Sequence, residues 1–229
     1  MTAIAAPSAR SILHRAARRH PQYGAVLAAV LAWSVLLAQH TTAGHQHARP
    51  AAQHLLMWTL MSVAMMVPVA LPAVRHVAAN SLAWRRQRAI GGFLGAYLLV
   101  WVGLGVALTP VARAWPDHRL LAAALVVAAG WVVLPTAGRF RRACHRTVPL
   151  PPRGWPATRG TVLFGLRHGV ACLGMCWPLM TVMAVAGSPA LWWMAGLSAA
   201  SAAVKLRQRT APPVAVLLAT AAVVVLLRG

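Results

Sequence analysis

The sequence predicts an all-α membrane protein, a polytopic bundle of about seven transmembrane helices with its N-terminus inside. Three observations lead there. The 229-residue chain is 59% hydrophobic and only 10% charged, with a mean hydropathy of +0.64. Its apolar residues gather in runs close to the ~20 residues that cross a bilayer core. Its basic residues lie between those runs, and their numbers alternate from one connection to the next.

Residues 1–22 carry Arg10, Arg15, Arg18 and Arg19 and no acid. They read more simply as a basic cytoplasmic tail before a signal-anchor helix than as a targeting peptide. Apolar spans follow at about 23–39, 54–74, 90–112, 119–137, 161–187, 189–204 and 211–227, the last two being short. Residues 23–229 thus read as one helical membrane domain, without solenoid repeats. The tail and the connections 75–89, 138–160 and 205–210 hold seventeen of the Lys and Arg residues. The alternate connections and the C-terminus hold four, and Arg167 lies within a span. Basic loops stay on the cytoplasmic side, so this bias puts the N-terminus inside and the C-terminus outside.

The net charge of +21 does not indicate a nucleic-acid partner, because the basic residues are dispersed as orientation signals. The scarcity of acid excludes more. Asp117 is the only carboxylate side chain, so paired-carboxylate catalysis, EF-hand calcium sites and carboxylate proton relays are ruled out within the chain. Cys144, Cys172 and Cys176 do not amount to a disulfide framework. No Gly-x4-Gly-Lys-Ser/Thr signature is present, which argues against direct ATP-driven transport by this chain alone.

The fifth span carries the densest chemistry. His168, Cys172, Met175, Cys176, Met180 and Met183 fall within roughly 140° of one helical face at about 100° per residue. These are soft donors suited to Cu(I). Gly165 and Gly169 form a small-xxx-small pair on that face, where another helix would pack closely and turn the donors into the bundle. A polar His168 within a span points the same way. Arg167 can snorkel to the inner surface, about 9 Å away. Against the metal reading, Cys is a common buried residue, and Cys172-x3-Cys176 is weaker than a C-x2-C motif.

The second span places His54, Met57, Trp58, Met61, Met65, Pro68 and Pro72 on one face. A methionine stripe at helical spacing is ordinarily packing; the fifth span is what gives it a metal reading. Met61 and Met180 each lie seven residues from the outer ends of their spans, at His54 and Gly187, and Met65 and Cys176 each lie eleven. As neighbours, the two helices would bring these pairs together roughly 10 and 16 Å below the outer surface. His76 would sit near the inner end, as His168 does. Before the second span, His40, His45 and His47 lie in an outer loop. His45-Gln46-His47 suits Cu(II), Zn or Ni, and equally suits a polar loop that happens to contain histidine. Cys144-His145 in the basic inner loop reads as incidental rather than as a transfer point for a cytosolic metal carrier. Trp192, Trp193 and Met194 fit an outer aromatic belt.

Two of these segments resemble a known family. Met57-Trp58-x2-Met61-x2-Ala64-Met65-Met66-x-Pro68-x3-Pro72 is similar to the first signature of a bacterial family of predicted metal-binding integral membrane proteins, the domain of unknown function 2182. Gly165-Leu166-Arg167-His168-Gly169-x2-Cys172-Leu173-Gly174-Met175-Cys176-Trp177-x-Leu179-Met180 resembles its second. The resemblance covers about 54–206. It implies metal handling at the bacterial cytoplasmic (inner) membrane, and some members are labelled copper chaperones. The chain departs from the family at three places. Met175 replaces a family cysteine, which keeps a soft donor and favours Cu(I) over zinc. Cys144 stands alone where the family carries two inner-loop cysteines. Val204-Lys205 replaces a Glu-Lys pair.

The resulting expectation is an integral membrane protein that binds or passes Cu(I), with another transition metal as an alternative cargo. The site residues are Cys172, Cys176, His168, Met175, Met180, Met183, Met57, Met61, Met65, His54, His45 and His47. Partners would be the lipid bilayer and a metal-carrier or membrane-complex protein. The alternative is a non-metal membrane scaffold or assembly subunit. An enzyme is disfavoured: a thiol–disulfide catalyst wants paired reactive cysteines near a surface, and a copper oxygenase wants several convergent histidines.

Overall fold

The structure is a computed structural model that describes residues 21–42, 51–114, 118–186 and 191–228. Every regular element among them is helical. The helices are α1 (Tyr23–Thr42), α2 (Ala51–Ala79), α3 (Arg86–Ala114), α4 (His118–Val133), α5 (Pro135–Cys144), α6 (Gly154–Val185), α7 (Leu191–Leu206) and α8 (Ala211–Arg228), with a 3-10 turn at Gln208–Thr210 before α8. Helices occupy all seven expected stretches. By length and composition, four could cross a membrane: Ala52–Ala79, Arg86–Pro110, Gly154–Val185 and Ala211–Arg228. The bent pair α4–α5 would make five, so the count of about seven is not reached on length.

The expected span 119–137 stops at Val133 because of Pro135. The residue before a proline is pushed out of the helical region, and Leu134 is extended at φ −67, ψ 143. Proline is then well suited to the first turn of the next helix. The chain bends by 70° there, and α5 sets off in a new direction.

The bundle is organised around α6. In its apolar stretch 67% of residues are buried, against 22% in α8. Helix α3 packs along α6 more extensively than any other described pair; α4 and α5 pack on it too, α2 lies between α1 and α3, and α8 packs on α4. The close approach expected at Gly165 and Gly169 is against α3. A Cβ on Gly165 would stand 2.5 Å from the Phe93 carbonyl oxygen, and one on Gly169 would stand 2.9 Å from Val100 Cγ2. The second and fifth spans, whose depth matching holds only if they are neighbours, do not pack extensively on one another; α3 packs against both.

Proline leaves the carbonyl four residues earlier without its helical N–H. Tryptophans from neighbouring helices supply the missing donors. Trp33 Nε1 donates to the Ala64 carbonyl, four residues before Pro68, at 3.0 Å. Trp131 Nε1 donates to the Gly174 carbonyl, four before Pro178, also at 3.0 Å. A third indole, Trp58 Nε1, reaches the Trp101 carbonyl at 2.8 Å, and Gly105 leaves the room for that ring. Trp131→Phe should therefore cost about 1–3 kcal/mol by orphaning a carbonyl. In a Pro178→Ala background the backbone N–H returns, and the same change should cost markedly less. A thermal-unfolding double-mutant cycle checks this; equal costs in both backgrounds would remove the capping argument.

The expected single face of α2 is not continuously buried. Trp58, Met61 and Met65 are buried, while Pro68 and Pro72 are exposed. Beyond Pro68 the inward side passes to Ala70, Ala73, Val74 and Val77.

Candidate functional site

All six soft donors of α6 face inward. His168, Cys172, Met175, Cys176, Met180 and Met183 are each no more than 4% exposed and belong to or border one core. Arg167, next to His168, is exposed, as its expected route to the inner surface requires. On α2, Met61 and Met65 are buried in that same core, while Met57 and His54 are half-buried. His45 and His47 lie outside the described residues.

Cys172 is the meeting point of four elements. The Tyr97 hydroxyl of α3 is 3.3 Å from its sulfur and 3.3 Å from the Met66 carbonyl oxygen of α2, so one proton serves two acceptors. Lys205 Nζ of α7 lies 3.9 Å from the sulfur and donates to the Val69 carbonyl at 2.9 Å. The Cys144 and Cys176 thiols also neighbour and interact with the Cys172 sulfur. All three cysteines are free and buried.

Val69 lies fifteen residues from His54, and Cys172 lies fifteen from Gly187. Lys205 Nζ thus links the α2 backbone at Val69 to the Cys172 sulfur of α6.

His168 sits one turn from Cys172 among the rings of Phe93, Tyr97 and Phe164, with centroids 5.8, 5.8 and 5.9 Å away. Both of its ring nitrogens are buried, and neither has a hydrogen-bond partner among the described residues. Buried polar atoms in native proteins are nearly always satisfied, so this pair requires an explanation. His76 is the opposite case. Its Nε2 is 2.9 Å from the Val148 carbonyl oxygen, and its Nδ1 meets the Asn80 amide at 3.4 Å. It is a structural histidine that ties α2 to the segment entering α6.

Two participants were not singled out as site residues from sequence. Cys144-His145, read from sequence as an inner-loop pair, is built into this cluster. The 70° turn at Pro135 brings α5 back against α6, placing Cys144 beside Cys172, while His145 Nε2 bonds the Lys205 carbonyl at 3.0 Å. The proline was the available signal. Lys205 looks from sequence like a cytoplasmic-loop charge, yet it is 4% exposed. Of the expected aromatic belt, Met194 is 1% exposed and Trp193 is half-buried against the core, while the side chain of Trp192 lies outside the described residues.

Among the described residues, no three His, Cys, Asp or Glu side chains are arranged to hold one ion. The arrangement instead offers a soft-donor lining in which methionine sulfurs outnumber the thiols. No curated protein and no solved structure matches the chain. Residues 55–226 match the model of a family described as PpoB2, copper chaperone, a range that includes both motifs quoted above.

Proposed function

Because the chain belongs to the PpoB2 copper-chaperone family, we propose that it is an integral membrane protein that takes up, holds and passes Cu(I) along the Met, Cys and His face of α6. The observation that carries this reading is the pair of His168 nitrogens that have no hydrogen-bond partner among the described residues, buried one turn from the Cys172 sulfur. An imidazole that is costly to bury unsatisfied is a ligand in waiting. Copper is the cargo here.

The membrane placement is supported by the outer surface of the bundle. Leu27, Val30 and Leu31 of α1, Val126 and Val127 of α4, and Val216 and Leu217 of α8 are large apolar residues at least half exposed. An apolar exterior on that scale is stable against lipid rather than water.

The donors have separate parts in the proposed path. His45, His47 and His54 gather ions at the outer side. Met57, Met61 and Met65 form the entry stripe, and Met180, Met183 and Met175 continue it on α6. Thioether ligation is soft and neutral, so it exchanges readily. Cys172 and Cys176 hold the ion more tightly as thiolates, with Cys144 as a third sulfur at the end of the ten-residue helix α5 and the Lys205 side chain as the nearby positive charge. Exit from Cys144 toward the basic inner side would serve a cytosolic carrier.

The test is Cu(I) titration of the detergent-purified protein under reducing conditions, wild type against Cys172→Ser/Cys176→Ser. Near-stoichiometric copper in the wild type, lost in the double variant with its unfolding profile retained, supports the site. Equal binding by both proteins removes the thiols from it and promotes the scaffold alternative.

A further inference from the structure

A second charged feature lies away from the sulfur-lined core. The turn between α4 and α5 and the start of α8 enclose a cavity of about 500 Å3 that is open on one side. Arg139, Arg141 and Arg142 line it, together with Val132, Leu134 and Pro212. That volume is in the range of small-molecule sites, roughly 300–1,000 Å3. Arg141 is 9% exposed. The described residues contain no acidic side chain, so none of the three guanidiniums has a carboxylate there to pair with.

An orientation signal needs charge at the surface, but it does not need a buried arginine on the wall of a cavity. A guanidinium held at a partly enclosed wall gains more from meeting an anion than one in open solvent. Arginine forks match phosphate oxygens in bidentate geometry. The remaining walls are apolar, which suits a ligand whose phosphate is attached to hydrocarbon.

We propose that this cavity binds the phosphate headgroup of an anionic phospholipid from the inner leaflet, with the apolar walls taking the glycerol and the first part of the acyl chains. Basic pockets between spans on the cytoplasmic side recognise such headgroups. This inference rests on the membrane reading above, since α4 ends and α8 begins on the side that the Lys and Arg bias assigns to the cytoplasm. It also bears on the copper path. Arg139, Arg141, Arg142 and Cys144 share one ten-residue helix, so a headgroup gripped by Arg139 and Arg142 beside Arg141 fixes α5 and the third thiol against Cys172.

The experiment uses the full chain in neutral detergent. Phosphatidylglycerol and phosphatidylcholine with identical acyl chains are titrated, and retained lipid is read by native mass spectrometry. The expected result is at least about tenfold tighter retention of phosphatidylglycerol. Arg139→Gln/Arg142→Gln should abolish the preference, and Arg139→Lys/Arg142→Lys should keep part of it. Arg88→Gln, an exposed arginine on α3, should leave it unchanged. Equal retention of the two lipids, or an unchanged preference in the Gln double variant, would overturn the proposal. Displacement by inorganic phosphate as readily as by dispersed phosphatidylglycerol would assign the cavity to a free anion and overturn the lipid source. Reconstitution into vesicles separates the two readings. A chain that does not embed refutes both, whereas one that embeds without headgroup preference refutes this inference alone.

Discussion

Gly165→Ala is expected to destabilise the bundle by about 1–3 kcal/mol, the cost typical of forcing extra volume into a packed core. One methyl group is enough because of what it would meet. It would stand 2.5 Å from the Phe93 carbonyl oxygen, 3.0 Å from Ala96 Cβ and 3.2 Å from the Phe93 carbonyl carbon. Two of these are backbone atoms, so no side-chain rotation relieves the clash, and α6 must move off α3. That contact holds Tyr97 to Cys172, so Cu(I) retention should fall along with stability. Gly95→Ala on the open side of α3 provides the contrast. Its Cβ would meet nothing within 4 Å, and alanine is the better helix former by about 1 kcal/mol. Thermal unfolding in detergent should move in opposite directions for the two variants. A neutral Gly165→Ala would mean that the α3–α6 approach is looser than described.

His168→Leu is expected to do two things with opposite signs. It should stabilise the metal-free protein by about 1–3 kcal/mol, because it removes two buried polar atoms without partners from a cage of aromatic rings. It should also weaken Cu(I) binding by at least about tenfold, or about 1.4 kcal/mol. A protein that keeps a destabilising group at its working site commonly shows this trade. Unfolding of the metal-free protein and a competition titration with a Cu(I) chelator measure the two effects separately. Stabilisation with unchanged copper affinity would make His168 a mere packing defect and favour the scaffold. A loss of stability would mean that the ring nitrogens are satisfied in the folded protein.

The helices and their inward faces were largely legible in the sequence because both follow from local repeats. Apolar run length placed seven stretches, and each contains a helix. The small residues Gly165 and Gly169, spaced one turn apart on the same side as His168 and Cys172, correctly marked the face that meets another helix. Even the need for carbonyl donors was readable at Pro68 and Pro178, since the orphaned acceptor is always four residues back. The identity of the donors was not, because Trp33 and Trp131 lie 31 and 43 residues from the carbonyls they serve.

The sequence by itself determined the helical architecture, the basic asymmetry and the inward turn of the six donors on α6, since each depends on spacing within one segment. Only the tertiary structure decided that α3 packs against both Met-bearing α2 and Cys-bearing α6, that Pro135 folds Cys144 back onto Cys172, and that Lys205 is buried 33 residues along the chain from the sulfur it approaches. Those outcomes depend on which surfaces bury best against one another. That is a property of the whole packed bundle, and no periodicity within a single helix encodes it.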